Sequence, residues 1–140
     1  MEDRYLFKAK RLDNGEWVTG SLITCEDGTY KIATSYLDGD TNIAILICAY
    51  EVDRDTICQC TGLKDKNGKL IWENDIVAYW DTYSTENGQA ERDCIGKVVW
   101  DDETISFQVT NRLSAESYEV LDECSVIGNI FDNPELIKEI

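Results

Sequence analysis

The stretch that most restricts what this chain can become runs from Thr61 to Val77: Thr-Gly-Leu-Lys-Asp-Lys-Asn-Gly-Lys-Leu-Ile-Trp-Glu-Asn-Asp-Ile-Val. Asn67-Gly68 is the dipeptide best suited to supply two positive-φ residues to a tight hairpin turn. Leu70-Ile71-Trp72 and Ile76-Val77-Ala78-Tyr79-Trp80 are short strand-like runs, separated by the acidic elbow Glu73-Asn74-Asp75. The pattern predicts entry into a small β-barrel.

The rest of the chain repeats this grammar. Tyr5–Leu12 and Glu16–Thr24 form a hairpin about Asp13-Asn14-Gly15. Glu26-Asp27-Gly28-Thr29 turns the chain into Tyr30–Thr34. A polar turn, Asp38-Gly39-Asp40-Thr41-Asn42, precedes the apolar core run Ile43–Tyr50, and Thr56–Cys60 alternates again. Asp81–Asp93 lacks apolar periodicity and is expected to be a long mobile loop. Cys94–Trp100 and Ile105–Thr110 are strands about the Asp101-Asp102-Glu103-Thr104 turn. Residues 111–124 are ambiguous: Ser114-Ala115-Glu116-Ser117 could open a helical turn, or Tyr118–Leu121 could be an edge strand. Ser125–Phe131 is a last strand, and Asn133-Pro134-Glu135 starts a short C-terminal helix, with Asn133 capping and the proline in its first turn. Short strands every eight to twelve residues or so make this an all-β barrel or sandwich. With 43% apolar residues in 140, the chain can bury a core. By length it is one domain or two small ones sharing a core. We divide it into an N-terminal β subdomain, 1–60, and a barrel with the short helix, 61–140, packed as one compact unit.

Chemistry is sparse. The chain has no histidine, which removes the commonest general base and every Ser-His or Cys-His nucleophile pair. Cys58-Gln59-Cys60 lacks zinc-site spacing; on a strand both thiols face one side and belong to the core. Asp38–Asn42 fails as a calcium loop, with Ile43 where glycine and Ala49 where glutamate are required. Asp101, Asp102 and Glu103 on one tight turn point apart into water rather than forming an acid–base pair. Phosphate-binding glycine loops are absent. No catalytic residue, cofactor or metal is expected, and the chain is not expected to be an enzyme. With 13 basic against 28 acidic residues the net charge is −15, which repels phosphate backbones and speaks against direct nucleic-acid binding. No membrane span or signal peptide is visible, so a soluble cytoplasmic protein is expected.

Four blocks of this sequence resemble the YopX family of phage and prophage proteins. Thr61–Val77 follows the family's pattern except at Asn74, where glycine is usual; asparagine also tolerates positive φ. Phe7-Lys8-Ala9 with Trp17-Val18-Thr19-Gly20, Gly96–Trp100, and Val126–Leu136 are similar as well. The resemblance implies a mainly β fold with an SH3-like barrel, a bacterial host cytoplasm and no established activity. No catalytic residues carry over. The motif positions Thr61, Gly62, Leu63, Asp65, Asn67, Gly68 and Asp75 are expected to encode architecture, with Leu63, Ile71, Ile76 and Val77 packing inward. An interaction surface is expected among Trp72, Trp80, Trp100, Asp101, Asp102 and Glu103. Two functions follow: a non-enzymatic module that assembles as a homo-oligomer, or an acidic DNA mimic acting as a decoy for a basic host or phage DNA-binding protein.

Overall fold

A computed structural model describes residues 5–37, 39–41, 44–110, 118–119 and 123–139. The expectations for Asp38, Asn42, Ile43, Ser114–Ser117, Val120 and Leu121 fall outside these residues. The protein is mainly β, built on antiparallel ladders among the described residues. It divides into two compact units, Met1–Cys60 and Thr61–Ile140.

In the first unit the strands are β1 (Phe7–Lys10), β2 (Trp17–Thr24), β3 (Tyr30–Leu37), β4 (Ala44–Val52) and β5, which begins at Cys58 and continues to Lys64. Their order is β4-β3-β2-β1-β5. β2 is long enough to pair twice: Trp17–Gly20 with β1, and Ser21–Thr24 with β3. The switch falls at Gly20, where a Cβ would lie 2.1 Å from the Ala33 carbonyl oxygen, so only glycine lets the backbones approach. Beyond β1, Arg11 bridges Val52 and the Leu12 N–H donates to the Glu51 carbonyl, drawing the end of β4 towards the end of β1. Ala9, Ile32 and Val52 form the core, with Phe7, Val18, Leu22, Tyr30 and Ile57 against it. Arg54–Thr56 is a 3-10 turn, with the Asp53 side chain accepting from the Asp55 N–H.

In the second unit, β5 pairs with β6 (Leu70–Trp72), and a five-stranded sheet follows. It contains β7 (Asp75–Thr85), β8 (Gly88–Asp101), β9 (Ser106–Thr110), β10 (Tyr118–Glu119) and β11 (Ser125–Asn129), in the order β10-β9-β8-β7-β11. Along β8 the buried Cys94, Gly96 and Val98 alternate with half-buried Ile95, Lys97 and Val99, the period-two signature of a one-sided sheet. Ile71, Val77, Val98, Val109 and Cys124 form this core, with Tyr79, Phe107 and Val126 packed against it.

Five expectations need correction. Asp81–Asp93 is not a loop: the β7–β8 ladder runs on through Asp81↔Arg92 to Thr85↔Gly88. Residues from Ser84 to Gln89 are exposed, and a ribbon in water satisfies its backbone by pairing without needing apolar alternation. The 65–69 turn uses one positive-φ residue, Gly68 at +82°, rather than two. Gly68 N–H donates to the Asp65 carbonyl at 3.0 Å and Asp65 N–H to the Lys69 carbonyl at 2.8 Å, which gives a three-residue loop ending in a left-handed glycine. Ile105 is a turn residue at φ +52° rather than a strand start. Leu63 is 45% exposed, whereas Ile71, Ile76 and Val77 are fully buried. At the C-terminus, Pro134–Glu139 is a 3-10 helix. The Asn133 side-chain oxygen accepts from the Asn129 N–H instead of capping it. No helix among the described residues is long and apolar enough to cross a membrane.

Candidate functional site

The 61–77 stretch is held by its own polar side chains. Thr61 Oγ1 donates to the Ile71 carbonyl at 2.7 Å across the β5–β6 hairpin and accepts from the Leu63 N–H. Asp65 is 5% exposed. Its Oδ1 accepts from the N–H groups of Asn67 and Lys69, both at 2.9 Å, and its Oδ2 from the N–H of Val126 at 2.9 Å. Burial pushes this carboxyl up, but the bonds from Val126, Lys69 and Asn67 together with the Lys69 charge outweigh it and hold it below its ordinary value. The same loop donates Lys66 N–H to the Cys124 carbonyl and Asn67 Nδ2 to Ser125 Oγ. Val126 faces Val77 of β7 in the ladder, so the loop occupies the far edge of β11.

The elbow works in a similar way. Asp75 is 3% exposed, and its Oδ2 accepts from the Trp72 N–H at 2.8 Å. Asn74 sits at φ +71°, donates its N–H to Val98 and accepts at its carbonyl from Ile130. Gly62, Asn67 and Gly68 are exposed turn or strand-end positions.

The expected interaction residues separate. Trp72 is buried. Trp80 is 64% exposed on β7 opposite Asp93. Trp100 is 43% exposed at the end of β8, seven residues beyond Asp93 and so roughly 23 Å along the strand. Trp100, Asp101, Asp102 and Glu103 do come together, at the β8–β9 tip. The Trp100 indole N–H donates to Asp102 Oδ1 at 2.9 Å, and its ring meets Phe107 edge-on at 5.1 Å. Asp101 Oδ1 accepts from the Glu103 N–H, while Thr104, Ser106 and Gln108 side chains are joined by hydrogen bonds. Ile105, 75% exposed and left-handed, stands at this tip. Nothing in its residue type signals this, because β-branched side chains ordinarily avoid positive φ.

The first unit carries a shallow groove of about 210 Å³ lined by Leu12, Gly28, Thr29, Tyr30, Glu51, Val52, Asp53 and Arg54. The Arg54 guanidinium lies over the Tyr30 ring, 5.7 Å from its centroid. Among the described residues, no group of three or more cysteine, aspartate or glutamate side chains could hold a metal ion. Of the four cysteines that are buried, Cys58 and Cys60 lie on one strand with the single residue Gln59 between them.

A family model described as "YopX protein" matches residues 6–138. No curated protein matches the chain. Among solved structures, the chain is similar to protein EF1440 from Enterococcus faecalis, known from its crystal structure. The identity is 25%, the alignment covers 94% of this chain and 96% of that one, and the TM-score is 0.54.

Proposed function

The chain belongs to the YopX family, and from that premise we propose that it is a non-enzymatic, phage- or prophage-derived interaction module that assembles with copies of itself in the cytoplasm of a bacterial host. The observation that carries this reading is the exposure of large apolar side chains on the second unit: Trp80 at 64%, Trp100 at 43% and Ile105 at 75%. Aromatic side chains left in water on a rigid sheet are the usual anchors of protein interfaces. The Trp100 end is pre-organised, since its indole is already fixed by Asp102 and Phe107, which lowers the entropy lost on docking. Ile105 keeps a strained backbone that water alone does not reward. The sheet order, a meander β7-β8-β9-β10 with β11 returning to β7, fits an SH3-like barrel, and that finer assignment is part of the same proposal.

A second reading, the decoy for a basic protein, draws on Asp101, Asp102 and Glu103 gathered at the tip. A DNA mimic needs regularly spaced charge over a longer path, about one per 3.4 Å along each imitated strand. Sedimentation equilibrium of the wild type, Trp80→Ser and Ile105→Asn tests the proposal. An oligomer that loses mass in at least one variant supports it. Unchanged mass in both removes these residues from the interface.

A further inference from the structure

We propose that copies of this chain join head to tail, the lysine loop at 64–69 of one copy docking on the acidic Trp100 tip of the next. The inference rests on the self-assembly proposed above and names the surface that the Trp100 end meets. Between Thr61 and Trp72 the charged residues are Lys64, Asp65, Lys66 and Lys69. Asp65 is turned inward, its two oxygens taken up by three backbone N–H groups, so the loop shows water only positive charge. Lys64, Lys66 and Lys69 are exposed. None of the three makes an ion pair among the described residues; the Lys69 charge helps to hold Asp65 below its ordinary value. In a chain with 28 acidic residues, these lysines form a local surface opposite in sign to the whole.

The β8–β9 tip is the complement. Asp101, Asp102 and Glu103 stand together there, with no cation in the sequence between Lys97 and Arg112. Their printed bonds run to the Trp100 indole and the Glu103 N–H, and none of them makes an ion pair among the described residues. Trp100 and Ile105, 43% and 75% exposed, add apolar surface. A partner for this tip must offer positive charge and apolar contact together, and the lysine loop offers both. Lys66 and Lys69 lead end-on; Lys64 and the 45% exposed Leu63, on opposite faces of β5, flank them. Lysine stems lie along apolar surface while the ammonium reaches a carboxylate or the face of an indole. In the sheet the loop lies beyond β11, and β11 and β7 separate it from β8. Each copy therefore carries one of each surface. The contact is heterologous, closing into a ring or running on as a filament. Apolar contact holds the joint at high salt, and the charges fix which surfaces meet.

The test reverses charge at exposed side chains that hold no part of the fold. The double variant Lys64→Glu with Lys66→Glu spares Lys69 and keeps charge beside the sheet edge, so the loop still discourages strand addition. Glu103→Lys leaves Asp101 and Asp102 in their hydrogen bonds. Light scattering at low salt is expected to show self-association weakened about ten-fold in each variant. Mixed one to one, the two should form a dimer that grows no further, because one intact loop meets one intact tip. General charge repulsion would act in the other direction for Glu103→Lys, which takes the net charge from −15 to −13 and would strengthen association. Zero-length carbodiimide coupling of the wild type gives a second readout: Lys64 or Lys66 joined to Asp102 or Glu103 in the covalent dimer, and not in the monomer. The joint is overturned if the wild type assembles and both variants keep its mass, if the mixture does not recover a dimer, or if the coupled peptides pair other segments. A monomeric wild type would instead overturn self-assembly itself, and this joint with it.

Discussion

Replacing Asp65 by asparagine changes one oxygen to an NH2 group and leaves the volume of the side chain nearly constant. The wild-type carboxylate has two oxygens and three backbone donors: Asn67 and Lys69 on one side, Val126 on the other. If the asparagine oxygen stays with the loop, its NH2 faces the Val126 N–H, a donor against a donor at a buried position. If it turns the other way, two loop N–H groups lose their acceptor. The milder choice leaves one buried N–H unsatisfied, at about 1–3 kcal/mol, and weakens two charge-assisted bonds to neutral ones, for a total of about 2–4 kcal/mol. A change of that size should lower the Tm by roughly 10 °C. Thermal and urea unfolding, followed by tryptophan fluorescence and circular dichroism, would measure it. The pH dependence gives a second check with a definite sign. The folded carboxyl lies below its ordinary 3.8, so its contribution is complete above that value and is lost as pH falls through the folded pKa. The gap between wild type and Asp65→Asn should therefore be constant at neutral pH and narrow in acid. A Tm within about 2 °C of wild type at pH 7 would refute the assignment of Asp65 as the tie between the hairpin and β11.

Other substitutions probe separate parts of the same structure. Gly68→Val forces a β-branched residue to φ +82° and should destabilise by about 1 kcal/mol or more in urea melts. Gly20→Ala places a Cβ 2.1 Å from a carbonyl oxygen that belongs to the β3 backbone, so a loss of about 2–3 kcal/mol is expected by the same assay. Ile105→Gly removes left-handed strain from a side chain that is 75% exposed. It should raise stability by about 0.5–1 kcal/mol while weakening self-association, a divergence that a purely structural Ile105 would not produce.

Much of the fold was legible because its turns are encoded locally. Asp13-Asn14-Gly15, Glu26-Asp27-Gly28 and Lys66-Asn67-Gly68 each end in a glycine at positive φ, and the apolar alternation between them marks which side of each strand is buried. Alternation also explains the burial of Cys58 and Cys60 together. The β7–β8 ribbon was illegible for the converse reason: with both faces in water beyond Ser84, its sequence obeys no hydrophobic period. Asp65 was recognisable as part of a motif, but its contact with Val126 spans 61 positions, and no local pattern announces a long-range backbone acceptor. Trp72 and Trp80 illustrate the limit for surfaces. Both are tryptophans that close short apolar runs in the sequence; only the structure shows that one is buried and the other 64% exposed. The groove is assembled from three separate segments of the first unit, so nothing in any one of them marks it.

The mass of the 140-residue chain in solution tests the proposed function most directly, by light scattering on a size-exclusion column at low salt and again at 0.5 M. A sharp oligomer that persists at high salt is expected, because an interface built on Trp80, Trp100 and Ile105 is apolar and the screening of a −15 chain should favour it. A monomer of 15.9 kDa at both salt concentrations would contradict self-assembly and shift the search to a basic partner.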